Sequence, residues 1–204
     1  MKKKLLIVGA GGHGAVVADI AGRVGIYDEI AFVAENQPKE GFAYPYLGKS
    51  ACASELLDQY ELFVAIGNSQ VRQKLMDQLG EKGASFATLI APGAYVASDV
   101  LIGEGTVVMP GTVINTGTTI GRGVIINTSS SVDHDCTVED FCHISVGSHL
   151  CGTVYVGTHS WVGAGAVIIN NCNVCADCMI GAGAVVIHDL IDSGTYVGVP
   201  ARRN

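Results

Sequence analysis

The sequence predicts two parts: a small parallel α/β unit, then a β-solenoid built from three-faced coils. Three observations carry this. From Val96 to Val186 an aliphatic residue recurs at every sixth position, sixteen times in succession. That period is neither the 3.6 of a helix nor the 2 of an ordinary strand, but fits a solenoid with one hexapeptide per face. Before it, residues 1–87 alternate strand, glycine loop and helix. Finally, 27 glycines with only 15% charged residues suit a tightly coiled chain with many corners.

In the first part, Lys3–Val8 reads as a buried strand, entered from the basic start Met1-Lys2-Lys3-Lys4. Gly9-Ala10-Gly11-Gly12-His13-Gly14 follows, then a helix from about Ala15 to Val24. A second strand is expected at 29–34, a short helix at 54–59 and a third strand at 62–66, ending at Gly67-Asn68. Ser69 is expected to cap a helix with Val71, Leu75 and Leu79 on its inner face and Arg72 and Lys74 outside. A last strand at 85–90 leads to Pro92-Gly93. Ligands on such sheets sit at the carboxyl ends of strands, where Gly9–Gly14, Glu35 and Gly67-Asn68 fall.

In the second part, three hexapeptides per coil stack like faces every eighteen residues, with the aliphatics inward. Gly103, Gly121, Gly157, Gly163 and Gly181 directly follow them and are assigned to the corners. The tail from His188 leaves the period and reads as a cap. A three-faced prism is compatible with a rotationally closed trimer.

Bulk properties exclude some classes. A net charge of −7 argues against a general nucleic-acid binder. No apolar run approaches the ~18 residues of a membrane span, and the expectation is a soluble, cytoplasmic protein. Four of the seven cysteines, Cys136, Cys142, Cys172 and Cys178, share a phase otherwise held by small residues, so they read as packing. Cys172-Asn173-Val174-Cys175 has CxxC spacing without a second pair or His pair to complete a zinc set. No metal is expected.

Two constellations carry chemistry. The glycine loop fits G-x-G-x-x-G between strand and helix, which turns backbone N–H groups and a helix N-terminus toward an anion. With about 87 residues, the unit is too small for a full dinucleotide fold and points to a nucleotide or nucleotide sugar. In the solenoid, His134 is flanked by Asp133 and Asp135 within an array poor in charge. A carboxylate on one ring nitrogen fixes the tautomer and raises the basicity of the other. The alternative is a solvated corner histidine. In a regular strand both aspartates would point away from the ring, so a dyad requires a corner or bulge at 133–135. No two histidines are eighteen apart. From Thr88 to Val186 the single Lys or Arg is Arg122.

These residues support a family resemblance. Gly9–Gly14, Ala65-Ile66-Gly67-Asn68, Asn127-Thr128-Ser129-Ser130, Asp133-His134-Asp135, His143-Ile144-Ser145-Val146-Gly147 and Gly198-Val199-Pro200-Ala201 occur in order from end to end. Together they resemble the sugar-nucleotide acetyltransferases typified by UDP-N-acetylbacillosamine N-acetyltransferase and its sialic-acid O-acetyltransferase relatives. The resemblance implies a Rossmann-like nucleotide-sugar-binding domain (1–87) and a left-handed parallel β-helix of hexapeptide repeats (88–204) that binds acetyl-CoA as co-substrate. It further implies a homotrimer with active sites between subunits.

The roles it implies are specific. His134 matches the general base and Asp135 the acid that raises its basicity. The Gly152 amide matches the oxyanion donor, and Asn127 a residue positioning the acceptor. His143, Ala164 and Ala182 fall where the family holds acetyl-CoA, and Gly11, Gly12, His13, Glu35 and Gly67 where it holds the nucleotide sugar. Ala34 departs from the family, which often has an acid there. The implied reaction is direct N-acetylation of a nucleotide-linked 4-amino-4,6-dideoxy sugar, with UDP expected and dTDP left open, for bacterial surface glycan or glycoprotein biosynthesis. An O-acetyltransferase acting on sialic acid or another sugar, and a non-catalytic solenoid binder, remain alternatives.

Overall fold

The structure, a computed structural model, describes residues 3–38 and 43–204; Met1 and Lys2 of the basic start lie outside these. The chain divides into two compact units, Met1–Pro92 and Gly93–Asn204, a few residues beyond the 87/88 boundary expected from sequence. No helix among the described residues is long and apolar enough to cross a membrane.

In the first unit, β1 (Lys3–Val8) pairs in parallel with both β2 (Tyr27–Val33) and β4 (Glu61–Val64), while β3 (Tyr46–Gly48) adds outside β2. The sheet order is β3-β2-β1-β4. Because the chain proceeds to opposite sides of β1, the carboxyl end of this strand is a topological switch point, the place where such sheets open a crevice. Leu5, Leu6, Ile7, Phe32, Leu62 and Phe63 form the fully buried centre, as expected for strands covered on both faces.

Several boundaries differ from the sequence expectation. Helix α1 spans Gly12–Val24 and so includes the end of the glycine loop. The short helix is a 3-10 turn at Ser50–Glu55. Residues 85–90 split into a bridge from Phe86 to Leu62 and a two-residue strand, Leu89–Ile90. Helix α2 (Ser69–Gly80) is capped by Asn68, whose Oδ1 accepts the Val71 N–H at 2.9 Å, rather than by Ser69. Its buried face is Arg72, Met76 and Leu79, while Val71 is 46% exposed. Of the expected inner face at 71, 75 and 79, Leu79 is buried, while Arg72, expected outside, is turned inward in place of Val71.

The second unit is a parallel β-helix. Two-residue strands stack with an offset of eighteen, as in Ile102↔Ile120↔Val138↔Val156↔Val174. The ladder aliphatics from Val108 to Val186 are at most 1% exposed. Left-handed backbone recurs at every sixth position from Gly105 to Gly183, including Ser129, Asp135, Phe141, Thr153, His159, Asn171 and Asp177. The glycines directly after the aliphatics are therefore not the left-handed corners. At Gly103 a Cβ would lie 2.5 Å from the Arg122 backbone nitrogen one coil on, so that phase needs glycine for close coil stacking. Past Val186 the coil shortens rather than ends: Leu190 bridges to Val174 and Tyr196 pairs with Ile180, both at an offset of sixteen. Arg202–Arg203 then closes the edge antiparallel to Gly194–Val197.

Candidate active site

In the first unit, the switch point gathers the loops after β1, β2 and β4. Gly9 N donates to Val33 O at 2.8 Å and Ala65 N to Val8 O at 2.9 Å, which locks the three strand ends together. Gly9 has φ +116°, and a Cβ there would lie 2.9 Å from Ala65 O, so glycine is required by both dihedral and space. Gly11, Gly12 and Gly67 are exposed, and a Cβ at any of them would meet open space. Helix α1 begins here with no side-chain cap, leaving its first N–H groups directed at that space. Glu35 is exposed in the bend after β2.

His13 sits in the first turn of α1. Burial, reinforced by the Arg72 charge, pushes its pKa down to about 4, so the ring is neutral at physiological pH. Its Nε2 is buried without a hydrogen-bond partner. A buried polar atom left unpaired costs about 1–3 kcal/mol, which a ligand group could recover. Arg72, 1% exposed, donates from Nη1 to Ile66 O at 2.7 Å and to Gly67 O at 2.9 Å. The guanidinium thus fixes the loop that carries Gly67.

In the second unit, the corner after Ser131–Val132 carries the Asp-His-Asp cluster. His134 and Asp135 are the two turn residues, and Asp135 is left-handed at φ 57°. This corner turns the Asp135 carboxylate back onto its neighbour: Oδ2 lies 2.8 Å from His134 Nδ1. Asp133 does not touch the ring. Its Oδ1 accepts the His134 N–H at 2.8 Å and the Asn115 amide at 2.8 Å. The hydrogen bond donated to Asp135, with the nearby charges of Asp133 and Asp135, raises the His134 pKa above its usual value. Nδ1 then carries the proton shared with Asp135, and Nε2 is the basic nitrogen.

Gly152, eighteen residues on, packs against that nitrogen: a Cβ there would sit 2.5 Å from Nε2 and 2.7 Å from Cε1 of His134. Thr153 N donates to His134 O at 2.9 Å and Asn171 N to Gly152 O at 3.1 Å, so the backbone beside the ring is held on both sides.

Asn127 and His143 meet at a different edge. Asn127 Oδ1 accepts the Thr128 N–H, which leaves Nδ2 to donate to His143 Nε2 at 3.1 Å. His143 stacks on Trp161 with ring centres 5.0 Å apart. Ala164 and Ala182 stack above Thr128 and Val146 at this edge, and both are exposed. Gly147, Gly165 and Gly183 beside them have nothing within 4 Å of a Cβ position. Within one chain, then, His134, Asp135 and Gly152 share one edge of the prism, while Asn127, His143, Ala164 and Ala182 share the next. Among the described residues no group of three or more His, Cys, Asp or Glu side chains is placed to hold a metal ion.

Residues missed from sequence were Arg72, Asn115 and Trp161. The eighteen-residue offset would have found two of them: Asn115 lies one coil before Asp133, and Trp161 one coil after His143.

Comparison with known proteins agrees with these features. Residues 4–79 match the family described as the PglD N-terminal domain. UDP-N-acetylbacillosamine N-acetyltransferase of Bacillus subtilis (strain 168) is 36% identical over 109 residues, covering 51% of this chain and 50% of that protein. The matched region spans about half the length of the curated relatives. The acetyltransferase domain of PglB from Neisseria gonorrhoeae FA1090 superposes with a TM-score of 0.96 at 36% identity, covering 100% of both chains, and has also been solved with acetyl coenzyme A. A histidine-to-alanine variant of GDP-perosamine N-acetyl transferase from Caulobacter crescentus, solved with CoA and GDP-perosamine, gives 0.93 at 37% identity over 98% of this chain and 96% of that one.

An α/β unit with an open switch point, joined to a β-helix of hexapeptides, defines the class of left-handed β-helix proteins with a Rossmann-like N-terminal domain. Within it, this chain belongs to the sugar-nucleotide acetyltransferase family.

Proposed function

We propose that this protein transfers the acetyl group of acetyl-CoA to the 4-amino group of a nucleotide-linked 4-amino-4,6-dideoxy sugar. The observation that carries the reading is the His134 corner, with Nδ1 held by Asp135 and Nε2 facing the Gly152 backbone. The sugar amine attacks the thioester carbonyl while His134 Nε2 accepts the amine proton. The Gly152 N–H donates to the oxyanion of the tetrahedral intermediate. Collapse of that intermediate breaks the C–S bond, and the imidazolium returns its proton to the departing thiolate. No acyl-enzyme is required.

The nucleotide diphosphate is assigned to the α1 N-terminus, Gly11, Gly12 and Gly67, with His13 Nε2 supplying a polar contact and Glu35 a hydroxyl acceptor. Acetyl-CoA is assigned to the edge of His143, Ala164 and Ala182, where small residues expose backbone to a linear chain. Asn127 is assigned to acceptor positioning. Arg202 and Arg203, both exposed, are the cationic side chains offered to CoA phosphates. Because base and acetyl-CoA residues occupy different edges of one prism, a complete site takes one edge from each of two copies, which a homotrimer supplies.

The relatives are named for UDP- and GDP-linked sugars, so the nucleotide is what a substrate panel must read. The test is thiol release from acetyl-CoA with UDP-, GDP- and dTDP-linked amino sugars and their hydroxy counterparts. Release with an amino sugar and none with its hydroxy counterpart is expected. No release with any amino sugar, or equal release with the hydroxy sugars, overturns the reading.

A further inference from the structure

Two carboxylates flank His134, and either could in principle orient its ring. Asp133 and Asp135 both contribute negative charge to the imidazole, yet only Asp135 is bonded to Nδ1. The difference is made one coil below. Asn115 is eighteen residues before Asp133, pinned by its own N–H to Val132 O at 3.0 Å, and its Nδ2 donates to Asp133 Oδ1 at 2.8 Å. That oxygen also accepts the His134 N–H. Occupied by two donors, Asp133 is committed to the backbone side of the corner. Its carboxyl is held below the usual range, first by the Asn115 bond, so it stays charged with Oδ1 engaged by Asn115 and the His134 backbone.

The other groups around the corner are already engaged. Asp99, two coils below, accepts Thr116 Oγ1–H at 2.6 Å and Gly117 N–H at 3.0 Å. Gly117 itself lies against the Asp135 carboxylate, where a Cβ would collide with Oδ1, so the missing side chain makes room for that group. On the coil above stand Gly152 and Thr153, which carry no titratable group. Cys136, behind the corner, has its thiol pushed up by burial and remains neutral. Cys151 contributes its carbonyl to the Cys136 thiol.

We propose that Asn115 is a positioning residue for His134: by holding Asp133 on the backbone it leaves Asp135 as the carboxylate that orients the imidazole. The catalytic meaning rests on His134 being the general base, but the positioning does not. With the Asn115 amide removed, Asp133 becomes a second acceptor competing for Nδ1–H, and the ring loses a single orientation.

The experiment is a cycle of Asn115→Leu, Asp135→Asn and the double variant in the intact protein. It reads kcat and KM together with the titration midpoint of His134, measured by nitrogen NMR on histidine-labelled protein. Asn115→Leu is expected to lower kcat about tenfold, with KM for both substrates within about twofold, a partial loss beside removal of the base itself. Asp135→Asn is expected to lower the midpoint strongly in the parent and less in the Asn115→Leu background, because the released Asp133 substitutes. Equal effects of Asp135→Asn in both backgrounds, or an Asn115→Leu variant with unchanged midpoint and kcat, overturn the proposal. If Asn115→Leu shifts the midpoint while His134→Ala retains full turnover, positioning stands and the assignment of the base fails.

Discussion

The imidazole of His134 and the α-carbon of Gly152 lie one coil apart, so close that a Cβ on residue 152 would sit 2.5 Å from Nε2. Glycine at this position keeps the basic nitrogen open. Gly152→Ala is therefore expected to push the ring aside and lower kcat by about 10²-fold or more, the usual consequence of misplacing a reacting group by an ångström. Far-UV circular dichroism should be unchanged. An alanine variant with parent kcat would contradict this.

Replacement of the proposed base should be more severe on the chemical step. His134→Ala is expected to lower kcat by roughly 10²–10⁴-fold, the range for general base catalysis. Steady-state kinetics with saturating acetyl-CoA checks it, and near-parent turnover would remove His134 from the mechanism.

The pH profile reports on Asp135. His134 is raised above its usual value of 6.5, first by the Asp135 hydrogen bond, and the proposed reaction needs the neutral ring. Activity should fall as pH drops through a midpoint above 6.5. In Asp135→Asn that acidic limb should move toward lower pH, so the variant keeps a larger fraction of its own maximum at pH 6. A limb that stays in place would show that Asp135 does not govern the ring.

His13 gives the opposite sign, and on stability. Its folded value is about 4 against an ordinary 6.5, so the neutral ring is favoured in the folded chain. Stability is intact above 6.5 and is lost as pH falls toward 4, when the unfolded chain takes up the proton first. The loss is on the order of 3 kcal/mol. Urea titrations at pH 7 and pH 4.5 should show it, and His13→Gln should flatten the difference.

Arg72 is a structural hinge for the same site. Arg72→Leu removes two charged hydrogen bonds to the Ile66 and Gly67 carbonyls and should cost about 3 kcal/mol. Thermal unfolding should shift down by several degrees, and KM for the nucleotide sugar should rise. An unchanged Tm would mean that these carbonyls find other partners.

Thiol reactivity should follow burial. Cys52, Cys151 and Cys175 are partly exposed and should label first, whereas Cys136, Cys142, Cys172 and Cys178 are buried. Burial, reinforced by the Cys175 Sγ at 3.5 Å, also pushes Cys178 up to about 12. Timed maleimide labelling read by peptide mass should give that order. Fast labelling at Cys172 or Cys178 would show that the packing phase is not closed.

By itself the sequence determined the two-part architecture, because periodicity is a property of the chain. A six-residue aliphatic period allows one coil geometry, and it fixed the inward ladder, the eighteen-residue stacking and the packing role of Cys136, Cys142, Cys172 and Cys178. It also singled out His134 and the glycine loop, since both break an otherwise uniform background. Tertiary structure decided what depends on direction rather than spacing. Whether Asp133 or Asp135 meets the imidazole turns on the left-handed φ of Asp135, which places its side chain beside the ring, and on Asn115, which holds Asp133 away. That Arg72 faces inward likewise depended on carbonyls at Ile66 and Gly67 waiting for a donor, a demand that helical spacing does not display. Spacing says which residues are neighbours; backbone dihedrals and unpaired polar groups say which of them touch.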